Sequence, residues 1–256
     1  MQKQLTIKAI KTQLAQITRS DDPLLTTYAD DSRLGVQKLL QQAHHRLAKQ
    51  QLLTAQFQQR LTLERHAWQQ GLNLVAGVDE VGRGCLAGPV VTAAVILPHN
   101  FSLIEVNDSK QLSKTTRERL YPQIIEQAVA VGIGTSSPAV IDQLNILQAT
   151  RQAMKKAVLA LPVHPQALLV DAVDVPLDLP KKKMLKGDAK SASIGAASIV
   201  AKVYRDHLMA WYGEVYPGYD FEENVGYGTA KHLAGLEKLG VTPIHRLTFS
   251  PVPNYR

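Results

Sequence analysis

Residues 75–84, V-A-G-V-D-E-V-G-R-G, constrain this chain more tightly than any other stretch. An apolar, strand-like run ends in two adjacent carboxylates, Asp79 and Glu80, and a glycine-arginine-glycine turn follows at once. Successive strand side chains point to opposite faces, so the two acids can serve one site only where the strand ends or twists. The glycines permit that, and they let backbone amides approach a ligand with no Cβ in the way. Paired carboxylates can hold a hard divalent cation through oxygen. A cation site beside a backbone-lined turn suits chemistry on a phosphodiester. Taken alone, an Asp-Glu pair is also what an ordinary acidic turn after a strand looks like.

From Leu72 onward, short apolar runs alternate with amphipathic helices, the mark of an α/β layer architecture. Residues 72–78 and 89–97 read as strands joined by the glycine-rich turn into a hairpin. Residues 128–133 read as a third strand, and 167–171 as a short buried strand that ends on Asp171. Helices are expected over 113–127, 145–161, 191–212 and 229–239, the last stopped by Gly240.

The N-terminal part differs. It is Gln-rich and predicts two helices, near 3–18 and 32–69, parted by Ser20-Asp21-Asp22-Pro23. Asp31 or Ser32 is placed to cap the second. Val36, Leu39, Leu40, Ala43, Leu47, Phe57, Leu61 and Trp68 keep helical spacing along it. The expected division is a helical N-terminal extension over 1–71 and an α/β domain over 72–256. Residues 1–72 carry a net charge of +5 and the remainder +2. A basic balance suits a polyanionic partner, although many cytosolic enzymes are mildly basic.

Composition closes off several classes. The single cysteine, Cys85, excludes an internal disulfide framework and a cysteine zinc site. No signal-peptide core and no run of about 18 apolar residues is present, so a cytoplasmic protein without a membrane partner is expected. At 45% hydrophobic residues the chain can bury a core.

The motifs V-A-G-V-D-E-V-G-R-G-C-L-A-G-P-V-V, Asp108-Ser109-Lys110, L-L-V-D-A at 168–172, K-G-D-A-K-S-A-S-I-G-A-A-S-I-V-A-K-V-Y-R-D at 186–206, G-Y-G-T-A-K-H at 226–232, Pro243-Ile244-His245-Arg246 and the closing F-S-P-V occur in this order. Together they resemble ribonuclease HII, the type 2 bacterial ribonuclease H family, over residues 72–252. The resemblance implies a ribonuclease H-like mixed five-stranded sheet flanked by helices. It implies that Asp79, Glu80, Asp171 and Asp188 are catalytic and bind Mn2+ or Mg2+. On its own, Asp188 before a helix would read as a cap. Clustered carboxylates raise one another's pKa, and a cation keeps them ionised together.

The resemblance further implies an endoribonuclease acting on RNA–DNA hybrids and on DNA containing ribonucleotides. Incision would fall 5′ of the ribonucleotide and leave a 3′-hydroxyl and a 5′-phosphate, with roles in ribonucleotide excision repair and DNA replication. A monomer is expected. Only the 2′-hydroxyl distinguishes RNA from DNA at the sugar. In the family the backbone of Gly82, Arg83 and Gly84 reads it, aided by the tyrosine that is Tyr227 here. Without the motif, Tyr227 reads as a half-buried packing residue. Lys110 is expected on a substrate phosphate. Lys181, Lys182, Lys183, Lys186 and Lys190 flank Asp188, where the first three equally suit a solvated strand face. His232 and His245 are expected to be packed, hydrogen-bonded histidines. Asp174 and Asp178 are expected to be solvated loop acids. Cys85 stands where the family commonly has Pro, Ala172 where it has Gly, and Gly195 where a residue such as Ala is common. The sister family, ribonuclease HIII, carries Gly-Thr-Gly at the turn. A non-catalytic nucleic-acid-binding protein would favour cations over clustered acids.

Overall fold

The computed structural model describes residues 5–255 and divides into two compact units, Met1–Gln58 and Gln59–Arg256. The expected helical residues 3 and 4 lie outside the described residues.

The first unit is helical. Helix α1 (Ile7–Gln16) is capped by the Thr6 hydroxyl, and α2 (Pro23–Ala29) by the Asp22 carboxylate with Pro23 at its first position. The polar break expected at 20–23 therefore starts a further helix. Helix α3 (Leu34–Arg60) begins after the expected caps. Asp31 instead accepts hydrogen bonds from the Arg33 amide and guanidinium. Ile10, Leu14, Leu25, Tyr28, Val36, Leu40, Ala43 and Leu47 form the unit's core. The helical spacing read along 36–47 is the stripe buried there.

The long second helix expected over 32–69 is broken at Leu61. Helix α4 (Thr62–Gln69) follows as a separate element. It lies in the second unit, where Leu63, Ala67 and Trp68 pack against Val75, Leu169 and Ile194.

The second unit is built on a five-stranded sheet in the order β3-β2-β1-β4-β5. Strands β1 (Val75–Val81) and β2 (Val90–Ile96) form the expected antiparallel hairpin. Strand β3 (Ala130–Ser136) runs antiparallel to β2, while β4 (Ala167–Asp171) and β5 (Lys181–Met184) extend the sheet in parallel with β1. Strand β5 escapes a reading from hydrophobicity because it sits at the sheet edge with its three lysines exposed. Lysine at an edge also discourages pairing with another chain.

Helices cover both faces. Helix α7 (Ile146–Leu159) packs on β3 and β2. Glycine is required there, since a Cβ on Gly134 would stand 2.0 Å from the Ala153 carbonyl oxygen. Helix α8 (Ala192–Val215) packs on β1 and β2 from the other side. A Cβ on Gly77 would lie 2.1 Å from the Ser193 carbonyl carbon, so Gly77 sets how closely α8 approaches β1. The first three turns of α8 are almost wholly buried small and branched residues. Helices α5 (Lys114–Gln127), α6 (Pro138–Leu144), α9 (Phe221–Asn224) and α10 (Ala230–Leu239) complete the unit. Among the described residues no helix is long and apolar enough to cross a membrane.

Candidate active site

The β1–β4 register places the first two acids. Val78 pairs with Val170, so Asp79 and Asp171 are the next residues on neighbouring parallel strands. Strands in register stand about 4.8 Å apart and direct paired side chains to the same face. That face is the one covered by α8: Ser198, on α8, hydrogen-bonds the buried Asp79 carboxylate. Asp171 Oδ1 accepts from the Gly187 amide at 2.7 Å, which ties the end of β4 to the loop carrying Asp188. Asp188 is buried, with Oδ1 2.9 Å from the Ala189 amide.

Glu80 has the opposite strand parity, yet its charge is felt by Asp79 and it feels that of Asp171. Its Oε1 lies 3.3 Å from Arg83 Nη1, and its Oε2 is buried without a hydrogen-bond partner.

The electrostatics are those of acids short of positive charge. Burial, then Glu80 and Asp171, push the Asp79 carboxyl well above the usual range. Burial also raises Glu80, against the pull of Arg83. Asp188 is raised to about 6 by burial and by Asp108 and Asp171. Burial works against the Lys110 ammonium, but Asp108, Asp188, Asp79 and Asp171 outweigh it and raise its pKa. Asp108, absent from the expected site, hydrogen-bonds Asp188.

The four expected carboxylates thus share one neighbourhood. They do not converge on a point: among the described residues no group of three or more His, Cys, Asp or Glu side chains forms a ready-made metal site. The donor chemistry nevertheless fits a hard divalent cation. It is all oxygen, and it includes an orphaned carboxylate oxygen on Glu80 and acids raised for want of a counter-charge.

Beside the acids lies a cleft of about 280 Å³ lined by Glu80, Gly82, Arg83, Gly84, Lys110 and Tyr227, together with Ser109, Ser198 and Lys202. All five residues expected to bind substrate therefore line one cavity with one of the acids. Tyr227 is 47% exposed and faces Gly84, where an added Cβ would lie 3.9 Å from its ring. The Cys85 thiol, fully buried at the position of the family's proline, hydrogen-bonds Tyr227. Ser109 and Ser198 hydroxyls meet at 2.9 Å, linking the loop of Lys110 to α8.

A family model described as ribonuclease HII matches residues 76–252. The chain belongs to the ribonuclease HII family. A second model, the ribonuclease HII N-terminal domain, matches residues 6–68. The chain is 58% identical over 250 residues to ribonuclease HII of Pediococcus pentosaceus, covering 98% of each. It is 60% identical over 252 residues to that of Levilactobacillus brevis, again covering 98% of each. The crystal structure of ribonuclease H2 from Pyrococcus horikoshii OT3 superposes with a TM-score of 0.61 at 27% identity, over 71% of this chain and 96% of that one. The protein is accordingly a ribonuclease H enzyme with the mixed-sheet fold of that family.

Arg246 and Arg205 lie in quoted motifs, but their roles could not be read from the sequence. The buried guanidinium of Arg246 donates to the Gly82 carbonyl at 2.5 Å, to Arg83 at 2.8 Å and to Gly88 at 2.9 Å. Arg205 donates to Pro89, Ala87 and Val225 carbonyls at 2.7–3.0 Å. A Cβ on Gly82, whose φ is +88°, would collide with the Arg205 side chain. Neither arginine forms an ion pair among the described residues. Burial lowers Arg246 to about 10. Arg246 thus holds the turn's carbonyls inward, while Arg205 ties down the segment that follows the turn, at Ala87 and Pro89, and joins it to Val225.

Glu64, on α4, is in no motif. It is buried and accepts from Ser191 Oγ at 2.6 Å, Ser193 N at 2.9 Å and Ser193 Oγ at 2.6 Å, at the N-terminus of α8. Negative charge is favoured at that end of a helix.

Other expected residues lie elsewhere. Lys181 donates to the Val175 and Leu177 carbonyls, and Lys190 to that of Leu185. Asp174 stands 3.5 Å from both Arg151 and Lys181. His232 and His245 are buried and hydrogen-bonded to each other.

Proposed function

We propose that the protein hydrolyses the RNA strand of RNA–DNA hybrids and incises duplex DNA on the 5′ side of an embedded ribonucleotide. The reading rests on one observation above all: the glycine-arginine-glycine turn, Tyr227, Lys110 and Glu80 line a single cleft beside Asp79, near the end of β1, and Asp171, the last residue of β4.

Asp79, Glu80, Asp171 and Asp188 would hold Mg2+ or Mn2+, which supplies activation of water and stabilisation of the leaving oxygen when bound. Lys110 and Arg83 orient the phosphodiester by its anionic oxygens. The turn offers backbone amides to the 2′-hydroxyl, with their carbonyls held away from it by Arg246. The Tyr227 ring gives the sugar a rigid wall. Water adds to phosphorus in line with the departing 3′ oxygen, which takes a proton, so the products carry a 3′-hydroxyl and a 5′-phosphate. The N-terminal unit, basic and, among the described residues, without a group of acids that could hold a metal, would strengthen substrate binding without touching the chemistry.

Duplex DNA with one internal ribonucleotide, incubated with and without Mg2+ or Mn2+, tests the reading. Metal-dependent incision 5′ of the ribonucleotide supports it. Binding without cleavage in both metals would mark a nucleic-acid-binding protein instead.

A further inference from the structure

We propose that His232 and His245 are positioning residues for Tyr227, a relay of two neutral imidazoles that holds the tyrosine against the glycine-arginine-glycine turn and so sets selectivity for a single ribose. The inference deepens the reading above and rests on it for its substrate.

The protons of the relay are fixed by one group that can only donate. The Thr242 amide lies 2.9 Å from His245 Nδ1, so that nitrogen carries the lone pair and the proton resides on Nε2. His245 Nε2 lies 3.0 Å from His232 Nε2, which must therefore accept. The His232 proton then resides on Nδ1 and is donated to the Tyr227 carbonyl at 2.9 Å. Each ring nitrogen has one role and a partner that matches it. A proton added to either ring would confront a donor, and burial lowers the pKa of both.

Neither ring is placed for catalysis. Both are buried and enclosed by the rings of Tyr219 and Phe221, with centroids 5.1–6.2 Å away. Nor is filling space a sufficient account, because apolar side chains would fill it without burying four polar atoms. The relay ends on the backbone of a cleft residue.

The neighbouring bonds make the other half of the device. His245 sits in a β-bridge with Ala87, and the amides of Leu86 and Gly88 donate to Gly226 and Ile244 carbonyls. Arg246, the next residue, grips the carbonyls of Gly82 and Arg83. One segment, residues 242–246, thus holds the turn through Arg246 and Tyr227 through His245 and His232. The amides of the turn and the tyrosine ring are kept in one fixed relation, which is what reading an isolated ribose requires.

The experiment compares initial rates on a duplex with one ribonucleotide and on a long RNA–DNA hybrid. His232→Leu, which cannot bond the Tyr227 carbonyl, is expected to lower the ratio of the first rate to the second by about tenfold, the scale of one missing buried hydrogen bond. His232→Asn, whose amide nitrogen sits near the Nδ1 position, should restore most of it. In a Tyr227→Ala background, His232→Leu should change the ratio no further, since the effect runs through the tyrosine. Equal losses on both substrates, or losses that add in the double variant, would overturn the proposal.

Nitrogen-15 spectra of the histidines give a readout independent of any substrate. His245 is expected as the Nε2–H tautomer and His232 as the Nδ1–H tautomer, with Tyr227 ring resonances shifted by His232→Leu. The opposite tautomers, or an unmoved Tyr227 ring, would refute the relay. Should the wild type fail to incise at a single ribonucleotide, the functional reading falls, and these spectra alone decide the relay.

Discussion

Glu64→Ala removes a carboxylate that accepts three hydrogen bonds from the first turn of α8 and its cap. Bonds to a charged group contribute about 1.5 kcal/mol or more each, so the three supply about 4–5 kcal/mol. Against this stands Glu64 Oε2, buried with no hydrogen bond, which costs about 1–2 kcal/mol. The net expectation is a loss of about 3 kcal/mol, with the Ser193 amide left unpaired. Glu64→Gln keeps an acceptor in place and should lose about half as much. The chain's two tryptophans, Trp68 and Trp211, both lie in the unit Gln59–Arg256, so their fluorescence follows that unit alone. In urea the Ala variant should unfold at a midpoint lower by about 1 M. A loss under about 1 kcal/mol, or equal losses for Ala and Gln, would refute the assignment of Glu64 as the charged cap of α8.

Asp79→Asn and Asp171→Asn should each lower metal-dependent turnover by at least about a hundredfold. Asp79→Asn should leave the urea midpoint unchanged or higher, because it removes a buried charge that Glu80 and Asp171 oppose; a destabilised variant would contradict this. His245, lowered by burial to about 4 from 6.5, favours the folded state fully above pH 6.5 and loses that contribution as pH falls towards 4. At most about 3 kcal/mol is involved, and the difference in stability between wild type and His245→Gln should shrink over that window. Replacing the exposed Lys8, Lys11, Lys38 and Lys49 together by Gln should weaken substrate binding. The log–log salt slope should become shallower by about one unit for each phosphate no longer neutralised, with maximal rate unchanged. An unchanged affinity and slope would remove the first unit from substrate binding.

The sequence showed most clearly what local pattern controls. Strand β4 has the bounds its apolar run predicts, and β1 carries Asp79 and Glu80 near its end with the glycine turn beyond. The long buried helix α8 was legible in its run of small residues, which let it lie on Gly77. Strand β5 was less so, because its place comes from backbone pairing with β4 and not from buried side chains. The break at Leu61 leaves no proline or glycine to announce it, so α3 and α4 read as one helix. Of the candidate site, the residues that line the cleft come from named motifs. What holds them is not announced: Glu64 is in no motif, and the motif that contains Arg246 does not say what it grips. Glu64 meets Ser191 across 127 positions and Arg246 meets Gly82 across 164, and no local spacing encodes either pairing. Glu80 joins the acids against strand alternation, and its contact with Arg83 at 3.3 Å ties it to the turn beside them.

The most direct test is a single-turnover cleavage of duplex DNA bearing one ribonucleotide, with both product ends identified, in Mg2+, in Mn2+ and in chelator. Incision is expected on the 5′ side of the ribonucleotide, leaving a 3′-hydroxyl and a 5′-phosphate, with no product in chelator. Cleavage that persists in chelator, or ends bearing a 2′,3′-cyclic phosphate, would show that the 2′-hydroxyl attacks and that the four carboxylates do not do the work assigned to them.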